Sequence, residues 1–307
     1  MNGYKKLIKS RNMRMRIISM LGWLPDKAML KLQYRVKLKR NLNLKNPKRF
    51  TEKIQWYKLN YRNPMMHTCV DKYDVREYVK EKGLEDILVE LYGVYDSVDC
   101  VDFDSLPESF ILKSTDGGGG VNVFLCQDKI NLDVQKAKDS LRVGYKLNKK
   151  HPGREWAYNG LSHKIIAEKL LINEANPEAG IDDYKIFCFN GEPRCIVVDT
   201  DRYIGHKRNF YDIEWNNLKV TSDAPACDRE IPKPENLEKM LEIAKILSED
   251  FPFVRVDLYN VYGKVYFGEL TFYPWSGYVQ YTPDEFDYEL GKAFELKQYI
   301  NTHMQKR

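Results

Sequence analysis

The sequence predicts an α+β fold in which two antiparallel sheets follow a mainly helical front. Three observations carry that prediction. Apolar residues recur at helical spacing in the first 95 residues, at Ile54, Trp56, Tyr57 and Leu59 and again at Val75, Tyr78 and Val79. Beyond that point the pattern changes to short apolar runs interleaved with helical ones. Two pairs of these runs fold back on turn signals, at Asn190-Gly191 and near Gly263, and such turns join antiparallel neighbours.

Taken in order, residues 46–51, opening on Asn46-Pro47, punctuate two helices of the front, and Gly83 is a stop signal for a later one. Residues 110–113 read as a strand, and 121–126 return from the glycines Gly117 to Gly120. A helix over 132–149 leads to a strand at 165–168. Strands at 184–189 and 194–198 flank Asn190-Gly191, whose residues both tolerate positive φ. A helix at 236–249 precedes a hairpin over 253–271, and a last helix lies near 285–300. There is no internal repeat and no flexible linker. The expected organisation is a basic helical region over 1–95, a small subdomain over 96–168 and a large one over 169–307.

At 307 residues the chain is long enough for two or three packed subdomains. No apolar stretch approaches the roughly 20 residues of a spanning helix. Residues 17–24 are too short for a signal peptide and lack a small-residue cleavage site. Cys69, Cys100, Cys126, Cys188, Cys195 and Cys227 show no C-x-x-C spacing, so buried free thiols in a reducing cytoplasm are expected. Residues 1–60 carry 17 Lys and Arg against Asp26 and Glu52, net +15, while the remainder is net −10. A basic front on an acidic body suits an anionic partner such as a membrane surface, an acidic polymer or a lipid-linked carrier, and suits equally a solvated helix face. Nucleic acid is not expected, because no recognition motif accompanies the basic stretch.

The richest stretch is the last hairpin. Arg255 and Asp257 share a strand face, since side chains repeat every two residues. A two-residue loop pairing Asn260 with Gly263 would put Glu269 on the opposite face. A three-residue loop pairing Asn260 with Lys264 sets Glu269 opposite Arg255 and beside Asp257. Gly263 then holds the last loop position, where a left-handed residue is wanted, so the longer loop is expected. Arg255, Asp257, Glu269 and Thr271 then form one polar row, with Val254, Val256, Leu258, Val265, Phe267 and Leu270 on the core face. An ion-pair ladder is the plain reading of such a row. The rigid hairpin and clean core face favour a hard divalent cation held with phosphates, with Arg255 beside a transferring phosphoryl group.

Lys113 ends an apolar strand just before Ser114-Thr115-Asp116 and the four glycines. Without Cβ atoms, backbone N–H groups can approach a phosphate closely. No G-K-[ST] or G-x-G-x-x-G pattern is present, so this is neither a P-loop nor a dinucleotide fingerprint. A mobile hairpin tip fits the glycines as well as a phosphate loop does.

The order of motifs resembles the ATP-grasp superfamily and, within it, the TupA-like branch associated with teichuronopeptide and other surface-polysaccharide biosynthesis. The resemblance spans about residues 46–290. It rests on Phe50-Thr51-Glu52-Lys53-Ile54-Gln55-Trp56, on Asp71 to Tyr78 (DKYDVREY), on 110–113 with its glycines, and on Gly153-Arg154-Glu155-Trp156. It continues through Ile165 to Glu168, 183–193 (DYKIFCFNGEP), 208–212 (RNFYD), 254–258 and 268–272. It implies two α+β subdomains clasping ATP between antiparallel sheets. Lys113 would then meet the α/β-phosphates and Gly117, Gly118, Gly119 and Gly120 would cover the triphosphate. Glu168 and the backbone of Lys169 to Leu171 would hold adenine and ribose, and Lys185 would be a second cation at the phosphates. Asp257 and Glu269 would hold Mg2+, and Arg255 would steady the γ-phosphoryl group. Thr271 stands where relatives commonly have Asn, which puts a second metal in question.

The implied reaction is carboxylate–amine ligation through an acyl phosphate, on a uronic acid, amino sugar or amino acid of a surface polymer. The acceptor would be an anionic sugar, an amino acid or a lipid-linked glycan, met in the cytoplasm or at the inner face of the membrane. Sugar phosphorylation is the alternative chemistry. A glycosyltransferase is a third, from the D-x-D triplets Asp199-Thr200-Asp201 and Asp102-Phe103-Asp104. His206-Lys207-Arg208 reads as a basic group near the acceptor or as a solvated loop. His151 and His163 are isolated, and no nucleophilic triad is present.

Overall fold

A computed structural model of the chain describes residues 13, 18, 20–117, 122–142 and 151–296. Most of the first 19 residues, Gly118 to Gly120, the end of the helix expected over 132–149 and the end of the last helix lie outside them. Helices α1 (Asp26–Leu38), α2 (Phe50–Asn60), α3 (Met65–Val70) and α4 (Val75–Glu81) come first. Strands β1 (Leu91–Tyr95), β2 (Phe110–Ser114) and β3 (Val123–Cys126), helix α5 (Val134–Arg142) and strand β4 (Ile165–Glu168) follow. Strands β5 (Asp183–Phe189), β6 (Glu192–Thr200) and β7 (Lys207–Tyr211), helix α6 (Leu237–Ser248), strands β8 (Phe253–Val261) and β9 (Lys264–Thr271) and helix α7 (Glu285–Ala293) complete it.

The strands make a four-stranded sheet, β1-β4-β2-β3, and a five-stranded sheet, β7-β6-β5-β8-β9, both antiparallel throughout. In the small sheet Phe110 and Leu112 point into a core with Val101, Ala137, Leu141, Ile165 and Ala167. Period-two alternation therefore turns Ile111 and Lys113 to the other face. In the large sheet Ile186, Cys188, Val254, Val256 and Leu258 are fully buried in the main core, which also takes in Ala244 and Leu247 of α6. The opposite face is aromatic at one end, where Phe187, Phe189 and Phe253 meet Phe50 of α2 and Phe294. Its other end is charged.

Two strands carried no clear sequence signal. All of β1 is half-buried, and its register slips between Leu91 and Gly93, so no alternation is written into it. Strand β7 begins with Lys207 and Arg208, read above as a possible solvated loop; Arg208 is instead buried at 5 % exposure. All six cysteines are free, but Cys100 is exposed and Cys227 half-exposed, which corrects the expectation that they are buried.

Candidate functional site

The Asn190-Gly191 turn is a two-residue loop with φ of 50° and 80°, the mirror-image turn that matches strand twist. The last hairpin closes in the same way. Val261 pairs with Lys264 around Tyr262 and Gly263, at φ 51° and 77°. The three-residue loop is thus corrected to a two-residue one, displaced by one residue from the two-residue loop considered above. Carried regularly along the strands, this register would put Glu269 opposite Val256, facing the core. A bulge prevents that: Leu258 pairs with Phe267, but Asp257 pairs with Glu269. Gly268 is the extra residue, and it returns Glu269 and Thr271 to the face of Arg255 and Asp257. A Cβ at Gly268 would lie 2.9 Å from the Asp257 carbonyl oxygen.

The resulting row is tightly bonded. Arg255 donates to Asp257 through Nε and Nη2, both at 2.6 Å, and through Nη2 to Thr271 at 3.1 Å. Thr271 donates to Glu269 at 3.1 Å. Lys185 of β5 lies opposite Asp257, with its ammonium 3.4 Å from that carboxylate, 3.7 Å from Asp199, and bonded to Asp183. Arg208 grips Asp199 with two bonds of 2.6 and 2.9 Å, and His206 approaches it at 3.0 Å. Arg202 reaches Asp183 at 3.2 Å. The charged face therefore draws acids or bases from all five strands, with the acid pairs Asp183–Asp199 and Asp257–Glu269 each flanked by cations.

Burial pushes the Asp257 carboxyl up to about 6 against the pull of Arg255 and Lys185. Burial pushes Glu269 up too, but Lys72 foremost, then Arg255 and Lys185, hold it below the ordinary range. Burial also raises Asp199, and the bonds from His206 and Arg208 outweigh it and keep it well below the usual range. Lys72 was quoted in the motif above without a role. Its backbone N–H donates to Thr115 and its ammonium to the Gly117 carbonyl, so it ties α4's approach to the start of the glycine segment. The signal for it was its place in the Asp71-Lys72-Tyr73 run.

In the small sheet Lys113 donates to Glu168 at 2.9 Å, and Arg76 of α4 meets the same carboxylate at 3.0 Å. Glu168 is thus buried between two cations. The N–H of Lys169 donates to the Glu90 carbonyl at 2.9 Å, so of the segment Lys169 to Leu171 that donor is already used. Beside Arg76, a cleft of about 640 Å³ opens between α4 and β1, lined also by Tyr73, Glu77, Lys80 and Glu90.

The D-x-D triplets do not form metal pairs. Asp199 is taken by Arg208, and Asp102 accepts from the backbone of Asp104 as a local turn. Among the described residues no group of three or more His, Cys, Asp or Glu is gathered for a metal ion. Asp257 and Glu269, paired directly across β8 and β9, fit a magnesium ion that takes one or two carboxylates and completes its shell with phosphate and water. Glu269, at 38 % exposure, is the open member of the pair.

Residues 52–295 match the model of the TupA-like ATP-grasp family. The chain belongs to that family. Its members carry the ATP-grasp fold, and they use ATP and Mg2+. No curated protein matches the sequence. Among solved structures, a D-alanine–D-alanine ligase from Bacillus anthracis is 16% identical, with a TM-score of 0.41, over 67% of this chain and 58% of its own. The corresponding enzyme from Helicobacter pylori is 15% identical, with a TM-score of 0.44, over 75% and 61%. A complex of the Bacillus anthracis enzyme with ATP is 14% identical, with a TM-score of 0.42, over 78% and 70%. The chain spans 58% and 61% of the length of the first two ligases. Among the described residues no helix is long and apolar enough to cross a membrane.

Proposed function

We infer that the chain is an ATP-dependent carboxylate–amine ligase acting on a component of a surface polysaccharide, a uronic acid, amino sugar or amino acid. The observation that carries this reading is the Asp257–Glu269 pair, held on one face by the Gly268 bulge and backed by Arg255 and Lys185. Lys113, Lys72 and Lys185 would bind the phosphates, with Gly117 to Gly120 over them and the segment from Glu168 to Leu171 beside the base. Glu168 orients Lys113 through its 2.9 Å bond. Asp257 and Glu269, with Thr271, would hold the magnesium ion, which would supply charge neutralisation to the bound phosphates.

In the reaction a substrate carboxylate oxygen attacks the γ-phosphorus, the bond to the β,γ-bridging oxygen breaks and ADP leaves. An amine nitrogen then attacks the acyl carbon, the bond to the phosphoryl oxygen breaks, phosphate leaves and the amine proton passes to solvent. Lys113, Lys185 and Arg255 act through preorganised charge, which is stronger once water is excluded. The acceptor would be an anionic sugar, amino acid or lipid-linked glycan, with the basic front turned to it or to an anionic membrane surface on the cytoplasmic side.

The test offers ATP, Mg2+ and a panel of uronic and amino acids, with hydroxylamine as the trap. ADP release with a hydroxamate product is expected. ADP release with a sugar phosphate and no hydroxamate would replace the ligase by a kinase, and stabilisation by a sugar nucleotide but not by ATP would sink both.

A further inference from the structure

Helix α1 packs Met29, Leu30, Gln33, Tyr34 and Leu38 against the body. Its outer side presents two columns with one-turn spacing. One column is basic, Lys27, Lys31 and Arg35, extended by Lys39 at the helix end, and all four are exposed. The other is apolar, Ala28, Leu32 and Val36, with Leu32 42% and Val36 39% exposed. Before the helix, Met20 and Trp23 are each 77% exposed. Three nearby cations are neutralised: Arg40 and Arg49 meet Asp284 at 2.6 Å, and Arg154 meets Asp26 at 3.2 Å. Among the described residues no carboxylate pairs with Lys27, Lys31, Arg35 or Lys39; Arg35 reaches only the neutral Asn41 side chain, at 3.2 Å.

We propose that this face of α1, with Met20 and Trp23, docks on an anionic membrane surface. The basic column meets lipid phosphates, and Leu32, Val36 and Trp23 enter the boundary between headgroups and acyl chains. The net charge of +15 over residues 1–60 supplies the long-range attraction. A soluble polyanion would engage the charges but leave the apolar column in water, and that column decides for lipid. The proposal rests on the membrane-facing reading of the basic front and is independent of the nucleotide site.

The test is co-sedimentation of the full chain, without nucleotide, with vesicles of phosphatidylcholine alone or mixed with phosphatidylglycerol. Binding is expected only to the mixed vesicles and to fall with added salt. Lys31→Glu with Arg35→Glu should weaken it about tenfold or more. Leu32→Ser with Val36→Ser should weaken it comparably, and so should Trp23→Ser, which lies outside the helix and spares its packing. Circular dichroism shows that each variant is folded. The proposal is overturned by failure to bind mixed vesicles, or by equal binding to neutral ones. It is equally overturned if heparin binds and the three apolar substitutions leave vesicle binding unchanged, which marks a polyanion site. Because no nucleotide is present, this test and that of the ligase reading fail separately.

Discussion

A Cβ on Gly268 would crowd the Asp257 carbonyl oxygen at 2.9 Å. Gly268→Ala is therefore expected to cost about 1–3 kcal/mol of stability and to loosen the bulge that aims Glu269. Gly263→Ala is the control. Nothing lies within 4 Å of its Cβ, and only its φ of 77° is unfavourable, so about 1–2 kcal/mol is lost with nucleotide binding kept. Chemical denaturation and ATP titration of the two variants separate register from backbone strain. The polar row was legible in the sequence, though by another route. Its residues were placed on one face by a longer turn, whereas a short turn and a bulge place them there together. Periodicity cannot show a bulge made of glycine, which is neither apolar nor charged. Lys72 was legible only as part of a motif, because its partners, Glu269 and the Gly117 carbonyl, are remote in sequence. Lys72→Met is expected to weaken ATP binding about tenfold or more, read by calorimetry, since a charge-assisted bond is lost.

At the scale of elements, helix α2 is the anchor of the segment that follows β9. Trp275, Ser276 and Gly277 all have positive φ, at 47°, 57° and 64°. Gln55 donates to the carbonyls of Ser276 and Gly277, each at 3.0 Å. Lys58 donates to the Ser276 carbonyl at 2.9 Å and hydroxyl at 2.8 Å and to the Gly153 carbonyl at 3.0 Å. The turn so held sets Trp275 over the guanidinium groups of Arg208 and Arg255, at 4.6 and 5.6 Å. Burial lowers the Lys58 ammonium to about 8, with Glu155 opposing. The folded pKa is below the unfolded one, so the cost of charging Lys58 is present below pH 8 and relieved as pH rises toward 10.5. Against Lys58→Met, the wild type should gain about 3 kcal/mol across that window, measured by denaturation at stepped pH. The difference between the two proteins removes the common titration of tyrosines and cysteines. The helix and the presence of both hairpins were readable because each carries its own local signal, but the loop length and register of the last hairpin were not. Strand β7 was not, since Arg208 is explained by Asp199, Asp223 and Trp275 on other segments.

At the scale of the whole molecule, the two sheets present opposite kinds of charge control. The small sheet offers Lys113, oriented by Glu168 and Arg76, and the large one offers the carboxylate pair with its cationic backing. Lys72 links them, bonded to the glycine segment and lowering Glu269. Ligand that bridges both sheets should stabilise the folded chain by about 2.7 kcal/mol at a hundredfold excess over its dissociation constant, seen as a rise in Tm. The most direct measurement is calorimetric titration of a non-hydrolysable ATP analogue, with and without Mg2+, into wild type and Glu269→Gln. Mg2+ is expected to tighten binding to the wild type and not to the variant, which should still bind the analogue alone. Equal tightening in both proteins, or no binding of the analogue to the wild type, would contradict the assignment of Asp257 and Glu269 as the metal pair of an ATP site.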